Sequence, residues 1–99
     1  MIELYGKRFN WDRNKNIDNI NKHGISFKEA ASVFTDENAI EIDDIDHSKN
    51  ENRFIIIGCS RKLRLLVVCH CYRENETIIR IISARKAEKR EAAIYGGKM

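Results

Sequence analysis

Long apolar runs are absent from this sequence, and cysteine is scarce. No stretch approaches the ~18 to 20 apolar residues that a membrane-spanning helix needs, and residues 1–8 lack the apolar segment of a secretory signal. The three cysteines, Cys59, Cys69 and Cys71, are odd in number and lie close together, so a disulfide framework of the secreted type is not expected. These absences predict a cytoplasmic protein with free thiols and no membrane contact.

Familiar catalytic motifs are absent too. The chain has no glycine-rich phosphate loop, no nucleophile elbow and no helical pair of histidines at metal-binding spacing. The run Cys69-His70-Cys71 suggests zinc ligands, but on a strand the two cysteines point to one face and the histidine points to the other. The pattern therefore favours cysteines as small core residues, and it predicts neither a metal site nor a cofactor.

What the sequence does contain is enough apolar residues for one core. It has 99 residues, of which 42% are hydrophobic and 33% are charged, so we expect a single domain over residues 1–99 with an ion-rich surface. Residues 1–50 carry a net charge of −3 and residues 51–99 carry +6, which together give the net +3. The C-terminal half is the side that would meet a polyanion, although a solubilising asymmetry is the simpler explanation of the charge alone.

Two helices are predicted in the first third of the chain. Asp12 is a suitable N-cap for a helix that runs to His23, and a short extended segment over residues 9–11 precedes it. Ser26 begins a capping-box pattern, and apolar residues at helical spacing follow it. A second helix is therefore predicted over residues 27–34.

From residue 39 the period changes to that of a half-buried strand, because Ile40 and Ile42 alternate with Glu41 and Asp43. The predicted strands cover residues 39–43, 53–59, 63–72 and 77–83. Because the last three are joined by short polar turns, they are expected to pair as antiparallel neighbours. A last helix over residues 84–95, capped by Ser83, completes an α+β order of two N-terminal helices, a four-stranded antiparallel sheet and a C-terminal helix.

A cationic cluster marks this predicted last helix. Arg85, Lys86, Lys89 and Arg90 fall at i, i+3 and i+4 spacings, which would crowd them onto one broad helix face. Like charges at such spacings destabilise an isolated helix slightly, so helix stability does not explain them. The cluster is either a solvated face or a surface for RNA, DNA or an acidic partner.

Arg80 stands inside a strand whose neighbours are isoleucines on both faces. A guanidinium there needs an anion or a wet cleft to offset its desolvation. One interpretation is a structural ion pair with Glu51, Glu88 or Glu91. The other is a fixed donor fork aimed at a phosphate.

Two histidines are candidates for proton transfer. His23 lies at the end of the first predicted helix beside Lys22, where charge complementarity with the helix dipole is the simpler explanation. His47 lies in a polar loop within Asp46-His47-Ser48, which looks like a fragment of a metal site or triad but has no spacing signature. Loop solvation or turn formation is the simpler explanation.

Nearly the whole chain, from residue 9 to residue 95, resembles the BrnT toxin family. The runs that carry the resemblance are Phe9-Asn10-Trp11-Asp12, Lys22-His23-Gly24-Ile25-Ser26-Phe27, Asp46-His47-Ser48, Glu51-x-Arg53-Phe54 and Arg80-Ile81-Ile82-Ser83-Ala84-Arg85-Lys86-Ala87. One departure is Glu88, where a small polar residue such as threonine is expected.

The resemblance implies a RelE-like fold and a function. It implies a metal-independent ribonuclease that halts translation and that a BrnA antitoxin holds inactive. The ribbon-helix-helix part of that antitoxin binds the promoter, so contact with DNA would be only through the antitoxin.

Metal-free RNA cleavage requires removal of the 2′-hydroxyl proton, stabilisation of charge on the phosphate and protonation of the departing 5′-oxygen. We therefore expect Arg80 and Arg85 to bind the scissile phosphate. His23 or His47 is the expected proton carrier, with Glu91 as the alternative base. The residues expected to position the RNA are Lys22, Arg53, Lys86, Lys89 and Arg90.

Two other functions remain compatible with the sequence. The basic half could dock onto nucleic acid or an acidic antitoxin segment without any chemistry, and the lack of a sharp catalytic constellation supports this binding module. A metalloenzyme that uses His47 and the cysteines is the weaker alternative. Incubating the purified chain with RNA in EDTA distinguishes the metal-independent ribonuclease, the binding module and the metalloenzyme.

Overall fold

A computed structural model describes residues 1–97; residues 98 and 99, the end of the expected domain, lie outside the described residues. The strands in this range are β1 Ile2–Leu4, β2 Lys7–Asn10, β3 Ile40–Asp43, β4 Phe54–Cys59, β5 Leu65–Arg73 and β6 Ile78–Lys86. The helices are α1 Arg13–His23, α2 Phe27–Ser32 and α3 Lys89–Gly96, and 3₁₀ turns occur at Val33–Thr35 and Ile45–His47. Among the described residues, no helix has the length and apolar character needed to span a membrane.

The strands form one mixed sheet in the order β1-β2-β6-β5-β4-β3. The antiparallel run β3 to β6 confirms the predicted meander and the α+β class, but the expectation of a four-stranded, purely antiparallel sheet is wrong. A hairpin, β1 and β2, precedes the two helices, and β2 pairs parallel to β6. The sequence did not indicate the hairpin because its strands have only three and four residues, although Tyr5 and Gly6 both have positive φ, as in a tight two-residue turn.

Side-chain caps fix the start of each N-terminal helix as the sequence predicts. The Asp12 carboxylate accepts a hydrogen bond from the Lys15 amide at 3.0 Å, and the Ser26 hydroxyl accepts one from the Glu29 amide at 3.0 Å. α2 ends at Ser32, two residues earlier than predicted, and the chain continues as a single 3₁₀ turn.

α1 and α2 pack on one face of the sheet, and the hydrophobic core lies between this face and the two helices. Phe9 and Phe27 are completely buried there. Asn19 fastens α1 to the sheet: its amide group donates to the backbone carbonyls of Ile25 and Ala84 at 2.9 Å, and its side-chain oxygen accepts from the Ala84 amide at 3.1 Å. One buried side chain therefore satisfies three backbone groups at the helix–sheet junction.

The last strand is longer, and the last helix shorter, than predicted. β6 continues to Lys86, with Arg85 opposite Val67 of β5. Ser83 therefore does not cap a helix, and α3 begins at Lys89 after a capping box built on Glu88. Pairing with β5 satisfies the backbone groups of this segment, and this tertiary contact overrides its helical sequence pattern.

The predicted cationic face is consequently wrong as a helical feature. Arg85 and Lys86 are consecutive strand residues, so they point to opposite faces of the sheet. Lys89 and Arg90 are exposed in the first turn of α3. The part of the prediction that is confirmed is that positively charged side chains lie near the end of β6.

Candidate active site

A bulge in β6 brings two arginines to the same face of the sheet. Ser83 and Ile81 lie opposite consecutive residues of β5, so Ile82 has no partner of its own. In a regular strand, residues five positions apart point to opposite faces. Because of the extra residue, Arg80 and Arg85 both point away from the face that α1 and α2 cover.

An open cavity of about 220 Å³ lies beside the bulge on this face. Its floor consists of side chains from β4, β5 and β6 that alternate with the core residues. Its polar lining is Asp44, His47, Arg53, Ser83 and Arg85. Three of the residues expected to handle RNA therefore meet in one place.

Asp44 orients the imidazole of His47. Nδ1 lies 3.0 Å and 3.1 Å from the two carboxylate oxygens, and the histidine side chain is 68% exposed whereas that of the aspartate is 10% exposed. The carboxylate favours a proton on Nδ1 and leaves Nε2, which has no partner among the described residues, to exchange a proton with a ligand. A histidine paired in this way with a carboxylate is suited to acid–base chemistry.

Glu91 holds one side of the Arg85 guanidinium. Nη1 and Nη2 donate to the two carboxylate oxygens at 2.8 and 2.6 Å, and Nη1 also donates to the Lys86 carbonyl at 3.3 Å. Of the five guanidinium N–H groups, those on Nε and the outer side of Nη2 remain, and they lie on one edge of the plane. That edge is a fork suited to a phosphate.

The same contact determines what Glu91 can do. Its hydrogen bonds from Arg85 hold the pKa of Glu91 below the ordinary value, and the backbone amide of Glu88 acts in the same direction. A carboxylate held in its charged form in this way is a weak proton acceptor. The geometry therefore favours Glu91 as the anchor of Arg85 over its expected alternative role as a base.

Arg53 adds a second positive charge to the cavity. Its side chain forms no ion pair with a carboxylate within residues 1–97, and it also borders two neighbouring cavities along the 44–53 loop. Its backbone amide donates to the Ser48 hydroxyl at 3.0 Å, which ties the loop to the start of β4. The guanidinium is available to an incoming anion.

Cys69 lines the cavity but is poorly suited to act as a nucleophile. Burial, together with the nearby carboxylate of Asp44, raises the pKa of the Cys69 thiol to about 11, so the thiol is neutral at physiological pH. His70 faces the opposite side, where it packs on Phe34 and its Nε2 lies 2.6 Å from Glu41. Within the described part of the chain, no group of three His, Cys, Asp or Glu side chains is arranged to hold a metal ion.

Arg80 lies on the cavity face but outside the cavity lining. Its guanidinium donates to the Asn10 side-chain oxygen at 3.3 Å, across the parallel pairing of β2 and β6. The expected structural ion pair is not formed within residues 1–97 with any of its three candidates, Glu51, Glu88 and Glu91. Arg80 thus keeps its positive charge on the exposed side of the sheet.

The remaining predicted residues are dispersed. His23 and Lys22 are exposed at the end of α1, which packs on the other face of the sheet. Lys86, Lys89 and Arg90 are exposed around the junction of β6 and α3. The structure therefore brings His47, Arg53 and Arg85 together and leaves His23 apart from them.

Asp44 is a residue of this cavity that the sequence did not single out. The sequence draws attention only to Asp46 beside the histidine, whereas the carboxylate of Asp44 is the one that contacts the His47 ring. The available signal was the spacing: an aspartate three residues before a histidine in a short loop places both side chains on one side of a single 3₁₀ turn.

Comparison with known proteins identifies the family and the fold of this chain. A family model described as the ribonuclease toxin BrnT of type II toxin–antitoxin systems matches residues 11–91. The chain is also similar to the 1.1 Å crystal structure of the Brucella abortus ribonuclease toxin BrnT, with a TM-score of 0.63 and 24% identity over 84% of this chain and 99% of that chain; at this identity the likeness shows a shared fold. A search of curated proteins found no match. The chain belongs to the BrnT family of ribonuclease toxins of type II toxin–antitoxin systems.

Proposed function

We propose that this chain cleaves RNA without a metal ion, and that it does so in the cavity beside the β6 bulge. The observation that carries the proposal is the lining of that cavity. The lining includes a histidine that a carboxylate orients, and it includes two arginines that have N–H donors available for a ligand. The arginines supply the positive charge that a metal ion supplies in other nucleases.

In the proposed reaction the 2′-hydroxyl oxygen of the RNA attacks the adjacent phosphorus. His47 accepts the hydroxyl proton at Nε2 while Asp44 stabilises the resulting imidazolium. The bond from phosphorus to the 5′-oxygen breaks, and this oxygen takes a proton from water in the open cavity. The products are a 2′,3′-cyclic phosphate and a 5′-hydroxyl end.

Arg85 stabilises the charge that develops on the phosphate. Its free edge offers two parallel N–H donors, and Glu91 fixes the plane of the guanidinium before the substrate arrives. Arg53, which lines the same cavity, binds the same or the adjacent phosphate. Arg80 lies opposite Cys71 and Arg85 opposite Val67, and these β5 residues are four positions or about 13 Å apart, so we place Arg80 on a neighbouring phosphate of the RNA.

We further propose that the chain inhibits translation in the cytoplasm and is neutralised by a BrnA-type antitoxin. Membership of a type II toxin family implies an antitoxin partner. The ribbon-helix-helix identity of that partner, and its contact with promoter DNA, are expectations from the family resemblance. The surplus positive charge of residues 51–99 supports contact both with RNA and with an acidic inhibitor.

The direct test is to incubate the purified chain with RNA in EDTA. Persistent cleavage supports the proposal, whereas RNA that is shifted but intact indicates a non-catalytic binding module. Cleavage that stops in EDTA and returns with a divalent cation indicates a metalloenzyme.

Paired histidine variants then locate the proton carrier. We expect His47→Gln to lower the rate on the order of 10²- to 10⁴-fold, the usual contribution of a positioned acid–base group. His23→Gln tests the competing assignment, and a comparable loss there with full activity in His47→Gln would move the proton carrier to the end of α1.

A further inference from the structure

Polar contacts at the two ends of helix α3 determine its position. None of its residues within the described range is buried, so the helix has little apolar anchorage of its own. Near its start Glu91 contacts Arg85, and near its end the Tyr95 hydroxyl donates to Asp36 at 2.6 Å. α3 therefore runs from the end of β6 to the end of β4 and is held by one polar contact at each end.

The acceptor for Tyr95 is itself rigidly held. Asp36 accepts hydrogen bonds from the backbone amides of Asn38 at 3.0 Å and Cys59 at 2.8 Å. A side chain on Gly58 would approach to 2.8 Å of Val33 and 3.3 Å of the Asp36 carboxylate, so the backbone of β4 lies close against this carboxylate. Tyr95 is thus bonded to a fixed point of the sheet.

We infer that Tyr95 is a positioning residue for the phosphate fork. Its bond to Asp36 holds the end of α3, the helix holds Glu91, and Glu91 turns the free edge of Arg85 toward the cavity. The inference rests on the proposed function of this cavity. It assigns a role to a tyrosine that is not among the residues lining the cavity.

The contacts that link Tyr95 to Arg85 are sensitive to small tilts of α3. Glu91 Oε1 accepts simultaneously from Arg85 and from the Glu88 backbone amide, each at 2.8 Å, so its position is tied to the first turn of α3. If the far end of the helix is released, this turn can rotate and the bidentate pairing with Arg85 is lost. Bidentate pairing depends strongly on the mutual orientation of the two groups.

The test removes only the hydroxyl. We expect Tyr95→Phe to lower kcat on the order of tenfold, since a charge-assisted hydrogen bond is lost, while KM changes less than about twofold. Tyr72→Phe is the matched control, because it removes another tyrosine hydroxyl that donates to a carboxylate, Glu41, on the helix-covered face. The control is expected to keep the kcat of the wild type.

A double-mutant cycle distinguishes positioning from general destabilisation. With Glu91→Gln already present, Tyr95→Phe is expected to cause no further loss of kcat, because the path to Arg85 is already broken. If the two losses multiply independently, or if Tyr95→Phe has the kcat of the wild type, the inference is wrong.

A readout independent of activity separates this inference from the proposed function. The Arg85 Nε–H resonance in a ¹⁵N-correlated NMR spectrum is expected to shift or broaden in Tyr95→Phe and to stay unchanged in Tyr72→Phe. An unchanged resonance in Tyr95→Phe overturns the inference even if the wild type cleaves RNA in EDTA. If the wild type does not cleave, the proposed function fails, and the resonance still decides whether Tyr95 positions Arg85.

Discussion

Replacing Arg85 by lysine tests whether a fork of donors, and not only a positive charge, acts on the phosphate. Glu91 and the Lys86 carbonyl occupy three of the five guanidinium donors and leave one edge of two parallel N–H groups. A lysine ammonium has three donors on a single nitrogen, so it cannot keep both oxygens of Glu91 and still present a parallel pair. Arg85→Lys therefore keeps the charge and removes the geometry.

The expected size of the effect follows from the contacts that are lost. Removing a preorganised donor to a developing oxyanion lowers kcat by about 10²- to 10³-fold, which is the loss we expect for Arg85→Ala. Arg85→Lys loses about one hydrogen bond to a charged group, on the order of 1.5 to 2 kcal/mol, or about 10- to 30-fold in rate. KM is expected to change less than kcat, because the fork acts mainly in the transition state.

The assay is single-turnover cleavage of end-labelled RNA in EDTA with the protein in excess. Arg13→Ala is the matched control, since it removes an exposed arginine from α1, on the other side of the sheet. Thermal unfolding of every variant checks that the fold is intact. A rate for Arg85→Lys within about twofold of wild type would refute the fork, and the same result for Arg85→Ala would remove Arg85 from the site altogether.

Three further predictions concern stability and reactivity. Asn19→Ala leaves three buried backbone groups without their partner and is expected to cost about 2 to 4 kcal/mol, which lowers Tm by more than about 10 °C in a thermal melt. Hydrogen bonds from Arg64 lower the pKa of the buried Glu29, so this group stabilises the fold fully above the ordinary value of 4.5, and the contribution disappears as the pH falls through the lowered folded value. In denaturant titrations at pH 7, the free energy of unfolding of Glu29→Gln is therefore expected to be about 2 to 3 kcal/mol lower than that of the wild type. On acidification, the free energy of unfolding is expected to fall less in Glu29→Gln than in the wild type; equal acid sensitivity of the two proteins would contradict this. Cys69, with a pKa of about 11, is expected to react with iodoacetamide slowly at pH 8 and much faster as the pH approaches 11, as followed by peptide mass spectrometry.

The parts of the fold that sequence predicted well are those fixed by local chemistry. The caps at Asp12 and Ser26, and the short turns that make β4, β5 and β6 antiparallel neighbours, depend on residues close together in the sequence, and the structure confirms them. The end of β6 depends instead on pairing with β5, which no local pattern reports. Ser83 followed by alanines and charged residues looks like a helix start, yet the segment remains a strand to Lys86.

The candidate site was only partly predictable for the same reason. Arg53, Arg85 and His47 could be selected by residue type, but their meeting depends on the loop before β4 and on the extra residue Ile82 in β6. The bulge places Arg85 on the same face as Arg80, whereas a regular strand would place them on opposite faces. Register irregularities of this kind arise from the paired strand, so a single sequence did not reveal the shared face.

The most direct test of the central claim is to identify the ends of the RNA fragments formed in EDTA. Attack by the 2′-oxygen with His47 as proton acceptor predicts a 2′,3′-cyclic phosphate on one fragment and a 5′-hydroxyl on the other. It also predicts that a single 2′-deoxy nucleotide at the cleaved position blocks the reaction there. Fragments that carry a 3′-hydroxyl and a 5′-phosphate, or cleavage that appears only after a divalent cation is added, would contradict the account.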